Sequence, residues 1–209
     1  MEKPFIIASS GFATCGKNSF CSLLQNELLE QHKISSHQLS FACQLRKDLE
    51  SFVKTLGYDI WNENHKNIIR PLMVWYANLK REETKGSYFI NKLKNQVKNL
   101  KQKYRIFLIN DLRFPNEADY VKENGVIVHI SKYKEHESIC AHFPANESIT
   151  EKGKIFDIPP NEFEAKNDPI LKERSDYKIE WVTVGEQNLH ELKPHINKFV
   201  DWLHEKGHI

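Results

Sequence analysis

The stretch FIIASSGFATCGKNS, residues 5–19, decides the fold of this chain. Its apolar start predicts a strand, Gly11 opens a loop of mostly small or polar residues, Gly16 and Lys17 close the loop, and a helical pattern begins near Ser19. Glycines let backbone N–H groups turn inward around a phosphate, a lysine neutralises phosphate oxygens, and a helix N-terminus adds its positive end. The stretch therefore predicts a strand, a phosphate loop (residues 11–17) and a helix.

The residue after Lys17 departs from the usual pattern GxxxxGK, which serine or threonine follows. Asn18 takes that position and Ser19 the next one. The bare spacing also arises by chance, but a buried-strand pattern precedes this loop, and apolar residues follow it at helical spacing: Phe20, Leu23, Leu24 and Leu28. A phosphate-binding loop is therefore favoured over the alternative, a βα turn that binds no ligand.

The composition is that of an ordinary globular chain. With 209 residues, 40% of them hydrophobic, and a formal net charge of +2, we expect one α/β domain with insertions. The balanced charge demands neither nucleic acid nor an anionic membrane. No stretch has the length of a transmembrane helix, and the N-terminus lacks a signal-peptide pattern. We therefore expect a cytoplasmic protein with no nucleic-acid or membrane partner.

The cysteines and histidines predict no metal centre. The cysteines lack paired C-x-x-C spacing and are expected to be free thiols: Cys15, Cys21, Cys43 and Cys140. Cys15, inside the phosphate loop, is either a reactive thiol or, as we favour, a small residue that fits there. A zinc site is disfavoured because three histidines are spread too widely along the sequence for a local helical metal site: His129, His136 and His142.

A short strand is predicted at 36–41, followed by an amphipathic helix that Gly57 ends. Arg46 and Lys47 are expected in the first turn of that helix. The helix dipole disfavours cations there unless an anion is nearby. A bound phosphate is one such anion, although a solvated surface pair is the default.

The segment 61–81 is rich in aromatic and basic residues and carries a helical pattern, with Pro71 near a helix start or a kink. Its side chains could stack a base and hold a phosphate, but packing is the favoured role for each of them. A further helix at 89–100 has a lysine-rich face, which is most often solvated.

The near-continuous apolar run at 104–111 ends in Asp111. Ligands of doubly wound sheets bind outside the carboxyl ends of the strands, so Asp111 is expected in the same crevice as the phosphate loop. There it could hold Mg²⁺, directly or through water, or orient a hydroxyl. The alternative, a helix N-cap, is weaker because other residues intervene before Pro115 opens the next helix. Arg113 follows within reach and suits a phosphate.

The last third of the chain contains an irregular stretch and a regular end. From 131 to 175 the periodicity is lost and prolines, lysines and acids are mixed, as in a lid or binding loop. A final strand at 177–184 and an amphipathic helix at 189–203 are predicted to pack on the core.

The motif DLRFPNEA at 111–118, together with the loop and the Ser19 that follows it, resembles the deoxynucleoside monophosphate kinases of the phage type. These belong to the P-loop nucleotide kinase group. A sparser resemblance extends to Arg46, to Arg70 and to the helix that begins near Tyr88.

The resemblance implies a P-loop kinase three-layer sandwich, an α/β fold with a central parallel sheet flanked by helices. Residues 1–209 would form a single domain with a helical acceptor-binding insertion at about 42–103 and a lid-like segment at about 132–175. Arg174 would be the basic residue of the lid.

The resemblance also implies site residues. ATP would bind to the phosphate loop and its flank: Gly11, Ala13, Thr14, Gly16, Lys17, Asn18 and Ser19. Lys17, Asp111 and Arg113 would be catalytic, with Asp111 holding Mg²⁺ directly or through water. The acceptor phosphate would be held by Arg46, Arg70 and Arg113. Asn18 stands where a magnesium-binding hydroxyl often lies, which leaves the metal ligand set open.

The sequence thus predicts an ATP- and Mg²⁺-dependent kinase of deoxynucleotide metabolism. It would transfer the γ-phosphoryl group of ATP to a (deoxy)nucleoside monophosphate. One alternative is a P-loop kinase for another phosphorylated metabolite, such as phosphomevalonate or dephospho-coenzyme A. Another is a non-catalytic, regulatory nucleotide-binding protein. The base, the sugar and the oligomeric state, including a homodimer, stay open.

Overall fold

The buried apolar runs of the sequence form the strands of one sheet. The structure is a computed structural model, and it describes residues 3–135, 148–149, 154–159 and 161–209. The longer strands are β1 (Phe5–Ser10), β2 (Ser36–Leu39), β3 (Ile106–Ile109), β4 (Gly125–Glu135) and β7 (Tyr177–Val182). Two short strands, β5 (Ser148–Ile149) and β6 (Lys154–Phe156), lie between β4 and β7 in the chain.

The strand order is β2-β3-β1-β4-β6-β5, with β7 also paired to β4. β1 lies between β3 and β4 and is parallel to both, so that Ala8 is level with Ile109 on one side and Ile127 on the other. β7 is parallel to β4, whereas β6 pairs antiparallel with the end of β4 and with β5. The carboxyl ends of β1 and β3 therefore lie at one edge of the sheet, whereas β4, parallel to β1, continues past His129 beyond the end of β1.

Helices flank this sheet: α1 (Lys17–Glu30), α5 (Pro115–Lys122), α6 (Glu162–Arg174) and α7 (Lys193–Glu205), the last preceded by a 3₁₀ helix at Glu186–Leu192. In the main core, Phe20 of α1 packs against Phe199 of α7, with ring centroids 5.6 Å apart, and both are fully buried. The prediction of an α/β fold with a mostly parallel central sheet flanked by helices is confirmed. None of the helices in the described ranges is long and apolar enough to cross a membrane.

The residues Leu39–Gln102 form a separate compact unit. It consists of α2 (Phe41–Thr55), a short 3₁₀ helix (Glu63–His65), α3 (Lys66–Glu83) and α4 (Ser87–Leu100). A small core of its own holds α2 and α3 together, built on Leu49, Val53, Ile60 and Ile69. The sequence predicted a helical insertion at about 42–103, and its proposed acceptor-binding role stays a prediction.

Gly57 ends α2 as predicted. It has a φ of +81°, its N–H donates to Lys54 O, and the N–H of Tyr58 donates to Val53 O, the pair of bonds that closes a Schellman motif. The prediction that Arg46 and Lys47 lie in the first turn is wrong, because α2 already begins at Phe41, directly after β2. They lie in the second turn, where the dipole argument for a bound anion no longer applies.

The irregular stretch predicted at 131–175 is, in its described part, more regular than expected. β4 continues to Glu135, and α6 is a regular helix of 13 residues that accommodates Pro169 in its interior. The prediction failed because α6 buries only Glu164 and Leu171, which leaves no apolar stripe in the sequence. The apolar run at 104–111 is strand only over Ile106–Ile109.

Candidate active site

The phosphate loop leaves the carboxyl end of β1 in a conformation that needs its glycines. Gly11 has a φ of +130° and Gly16, the N-cap of α1, a φ of +98°, both in the left-handed half of conformational space. Thr14 also takes a positive φ, of +66°. Lys17 is the first residue of α1. The loop therefore returns the chain to the N-terminus of a helix whose dipole favours anions.

Close packing explains why both glycines lack a side chain. A Cβ on Gly11 would lie 2.2 Å from the carbonyl oxygen of Ile130, and one on Gly16 would lie 2.6 Å from Cζ2 of Trp181. The buried indole of Trp181 also donates from Nε1 to the carbonyl oxygen of Cys15, at 2.8 Å. β4 and β7 thus pack directly against the loop.

Lys17 is held within the loop. Its Nζ donates to the carbonyl oxygens of Gly11 and Phe12, at 2.7 and 2.6 Å, and the residue is only 8% exposed. Cys15 is also buried, and desolvation raises the pKa of its thiol in spite of the opposing charge of Lys17. This favours the packing role of Cys15 over the reactive one. Cys15, Cys21 and Cys43 are free thiols as predicted, and Cys140 lies outside the described residues.

A cleft of about 330 Å³ opens beside the phosphate loop. Ser19, half-buried on α1, is one of its lining residues, whereas the neighbouring Asn18 is exposed. The other walls come from the loop, the end of β4, β7 and the 3₁₀ helix before α7: Thr14, Cys15, Gly16, Lys132, Trp181, Val182, Thr183, Val184, Leu189 and Leu192. The cleft combines apolar walls with hydroxyl groups, as small-ligand sites commonly do.

Asp111 lies just beyond the carboxyl end of β3, next to the strand that carries the phosphate loop. Burial raises the pKa of the Cys21 thiol on α1 to about 12, and the charge of Asp111 adds to that effect, so the carboxylate acts across to α1. Phe114, rather than Asp111, is the N-cap of α5. Pro115 opens that helix as predicted.

The turn that carries Arg113 is tied down by a buried carboxylate. Glu117 Oε2 accepts from the backbone N–H groups of Arg113 and Phe114, at 3.0 and 3.2 Å. The exposed guanidinium of Arg113 extends from this turn, and its Nη1 donates to Oε1 of Glu164 at 2.9 Å. Nothing in the sequence singles out Glu117, because a phenylalanine N-cap gives no capping signal.

Glu164, on α6, joins Arg113 to the phosphate loop. Its Oε2 accepts from the backbone N–H of Ala13 at 2.6 Å, while Oε1 accepts from Arg113. The residue is 9% exposed. Glu164 could not be recognised as a site residue from the sequence, since the only signal around it is Asn161 three residues earlier, which is typical of an ordinary helix start.

One turn further along α6, Asp168 lies beside the carboxyl end of β1 and the middle of β4. Its Oδ2 lies 3.7 Å from Nε2 of His129, whose Nδ1 lies 3.2 Å from the hydroxyl of Ser10. Burial lowers the pKa of His129 to about 3, with Lys172 and Lys17 adding to the effect, so the imidazole is neutral at pH 7. Burial also raises the pKa of Asp168 to about 6. Of the other histidines weighed for zinc, His136 and His142 lie outside the described residues.

Two basic residues of the lid-like segment have different positions. Lys132 donates from Nζ to the carbonyl oxygen of Thr14 in the phosphate loop, at 3.0 Å, and pairs with Asp157 at 3.3 Å. Arg174 instead donates to the carbonyl oxygen of Pro115 and to Asp119 on α5. The contacts of Arg174 are thus with α5 rather than with the loop, and its role as the lid residue stays a prediction.

The remaining predicted acceptor residues belong to the helical unit 39–102. The guanidinium of Arg46 stacks over the Trp61 ring, 5.5 Å from its centroid, and lies 3.8 Å from Glu63. Arg70 on α3 is exposed, and no pairing with another described residue is seen.

The residues near the phosphate loop could give Mg²⁺ only a few protein ligands. Within the described ranges, no three His, Cys, Asp or Glu side chains gather as a metal cage would require. Mg²⁺ in phosphate sites commonly uses one or two carboxylates, with phosphates and water as its other ligands. Asp111 is an oxygen donor of that kind at the edge where β1 and β3 end.

No family model and no curated protein matches the chain. Among solved structures, it is similar to the APS kinase of Mycobacterium tuberculosis in complex with AMPPNP and APS, with 12% identity and a TM-score of 0.48 over 98% of this chain and 99% of that one. It is also similar to the shikimate kinase of Aquifex aeolicus, with 17% identity and a TM-score of 0.41 over 94% and 96%. At these values the function proposed below rests on the geometry of the phosphate loop rather than on either likeness.

Proposed function

We propose that this chain is an ATP-dependent kinase that phosphorylates a (deoxy)nucleoside monophosphate. One observation carries the proposal: a glycine loop places Lys17 at the N-terminus of α1, at the edge where Asp111 follows the neighbouring parallel strand. Backbone N–H groups, a lysine and a helix N-terminus together bind the phosphates of a nucleoside triphosphate.

In this proposal the nucleotide extends along the loop. Its phosphates lie against the loop N–H groups and Lys17, and its base enters the cleft that Ser19, Trp181 and Thr183 help to line. When bound, Mg²⁺ would offset charge on the phosphate oxygens, with Asp111 helping to hold it through water.

Phosphoryl transfer needs positioning and charge stabilisation more than covalent chemistry. Lys17 would stabilise charge on the transferring group, and Arg113 would grip the acceptor phosphate. The acceptor phosphate is ionised at neutral pH, so no strong general base is required. Arg46 and Arg70 in the helical unit are the further proposed acceptor ligands.

The choice of a nucleoside monophosphate as acceptor rests on the DLRFPNEA motif at 111–118 and its resemblance to the phage-type enzymes. The structure gives that motif a physical basis, because Glu117 fixes the turn from which Arg113 extends. The proposal includes a role in deoxynucleotide metabolism.

The test is to incubate the protein with ATP, Mg²⁺ and a panel of ribo- and deoxynucleoside monophosphates and to measure diphosphate formation. Turnover of one or more deoxynucleotides supports the proposal. Turnover only of another phosphorylated metabolite would replace the acceptor class. Nucleotide binding without any turnover would favour the regulatory alternative.

A further inference from the structure

We propose that Glu164 competes with a phosphate group of the bound nucleotide for the phosphate loop. The carboxylate and a phosphate oxygen of the nucleotide would be alternative acceptors for the Ala13 N–H, and the same carboxylate holds Arg113. The inference rests on the proposed function, since it takes the loop to bind phosphate, and it adds a residue that sets the affinity of that binding.

The contacts of Glu164 are those that an anion in such a loop would make. One carboxylate oxygen accepts from the loop N–H of Ala13 at 2.6 Å, and the other accepts from the guanidinium of Arg113 at 2.9 Å. Backbone N–H groups of a glycine loop and arginine forks are the usual ligands of phosphate oxygens. Glu164 thus presents a negative group at a position suited to phosphate.

The start of α6 shows that this contact replaces a more ordinary one. Asn161 is the N-cap, and its side chain accepts from the N–H of Glu164 at 3.0 Å. In a capping box, a glutamate at this position reaches back to the N–H of the N-cap residue. Here the carboxylate turns to Ala13 and Arg113, while Oε1 also accepts a long bond from the side-chain amide of Asn161 at 3.5 Å, and so spans from α6 to the phosphate loop.

Glu164 and a phosphate cannot both take this position. With the carboxylate oxygen at 2.6 Å, the N–H of Ala13 has no room for a second close acceptor. Two anions in contact, largely shielded from water, would also repel each other. Binding of the phosphate therefore requires the carboxylate to move aside.

The rest of α6 does not depend on this contact. Asp168 lies against His129, Arg174 is bound to α5, and Leu171 is buried. The Glu164 side chain can therefore rotate away while the helix keeps its place. Once it does so, the guanidinium of Arg113 is released from Glu164, so that nucleotide binding itself would make this arginine available to the acceptor phosphate.

The experiment measures affinity by calorimetry for two probes, MgATP and inorganic tripolyphosphate, in the parent protein and in Glu164→Gln. We expect both probes to bind about tenfold more tightly to Glu164→Gln, since a charge-assisted hydrogen bond contributes about 1.4 kcal/mol or more. Glu162→Gln is the matched control, because Glu162 carries the same charge in the same turn but is exposed. It should change either affinity by less than about twofold.

The outcomes separate this inference from the proposed function. If the parent binds MgATP and Glu164→Gln binds it no more tightly, or if Glu162→Gln has the same effect, the competition is refuted while the function stands. If neither the parent nor Glu164→Gln binds either probe, both proposals fall. Circular dichroism checks folding, and Glu164→Asp, whose carboxylate is too short to reach Ala13, carries the same expectation if the glutamine variant does not fold.

Discussion

The Nζ of Lys17 lies 2.7 Å from the carbonyl oxygen of Gly11, so the residue that ends the phosphate loop is bonded to the one that begins it. A second bond, to Phe12 O at 2.6 Å, makes the contact bidentate. The ammonium group is thereby held inside the turn. Lys17 accordingly holds the shape of the loop and also contributes a positive charge to it.

Replacing Lys17 with Ala should lower kcat about a hundredfold or more, the scale lost when one preorganised charge-stabilising group is removed. Lys198→Ala, at an exposed position on α7, is the control and should leave kcat unchanged. Steady-state kinetics with circular dichroism on the same samples would check the result. Near-normal turnover in a folded Lys17→Ala protein would remove the loop from the mechanism.

Gly11→Ala should destabilise the protein far more than Gly207→Ala, although both glycines have a positive φ. Gly207, with a φ of +69°, has open space around its Cβ position, so alanine there costs only the strained backbone, about 1–2 kcal/mol. At Gly11 the added Cβ would also meet Ile130 O at 2.2 Å. Thermal unfolding should show that Gly207→Ala lowers Tm by about 2–8 °C. Gly11→Ala should lower Tm at least twice as much as Gly207→Ala does. Equal losses would mean that the loop can shift away from β4.

Asp111→Asn should raise the Mg²⁺ concentration needed for half-maximal activity and lower the maximal rate. The amide keeps the shape and hydrogen bonding of the side chain but deletes the charge that would position the metal. Asp201→Asn, on the exposed side of α7, provides the control. Mg²⁺ titrations that superimpose for Asp111→Asn and the parent, with equal maximal rates, would show that Asp111 is only structural.

Arg70→Ala should raise the KM for the acceptor about tenfold and leave the KM for ATP nearly unchanged. The reason is that the exposed guanidinium of Arg70 would contact the acceptor phosphate and not ATP. Lys98→Ala removes a comparable exposed charge from α4 of the same helical unit and should affect neither constant. A rise in the ATP constant with an unchanged acceptor constant would show that the two sites have been assigned the wrong way round.

Asp168→Asn should change how stability depends on pH. The folded-state pKa of Asp168, raised to about 6, makes stability fall as pH rises from about 4 to 6, whereas that of His129, lowered to about 3, makes stability rise over the same range. The two contributions largely cancel in the parent, and the charges that act on both side chains, Lys17 and Lys172, remain in the variant.

With the aspartate removed, only the His129 contribution is left. The free energy of unfolding of Asp168→Asn, relative to the parent, should therefore increase by up to about 1.4 kcal/mol per pH unit between about pH 4 and 6. Urea unfolding at several pH values checks this. Parallel profiles for the two proteins would refute the raised pKa of Asp168.

Local sequence patterns were sufficient to predict β1, the end of α2 and the start of α5. The apolar run before Gly11 predicted β1, Gly57 predicted the end of α2, and Pro115 predicted the start of α5. Each of these depends on the preferences of a few consecutive residues, which the sequence states directly.

The contacts around the loop could not be predicted in the same way. Glu164 and Ala13 are 151 positions apart, and the pairing of Asp168 with His129 also joins distant segments. A glutamate near a helix start is compatible with capping, with solvation or with a distant partner, and only the packing of α6 on β1 and β4 selects among these. The same holds for Arg174, whose sequence context did not indicate α5 as its neighbour.

The bond from Trp181 to Cys15 joins positions 166 residues apart and bears on how the protein is made. A ribosome delivers residues 11–17 well before β7, the strand whose indole supports them. Until β7 docks beside β4, the nascent loop lacks both this hydrogen bond and the surface on which Gly16 rests. A ligand stabilises only the conformation that binds it, so nucleotide in the cell would protect the finished chain from unfolding and proteolysis while giving no such protection to incomplete chains that lack β7.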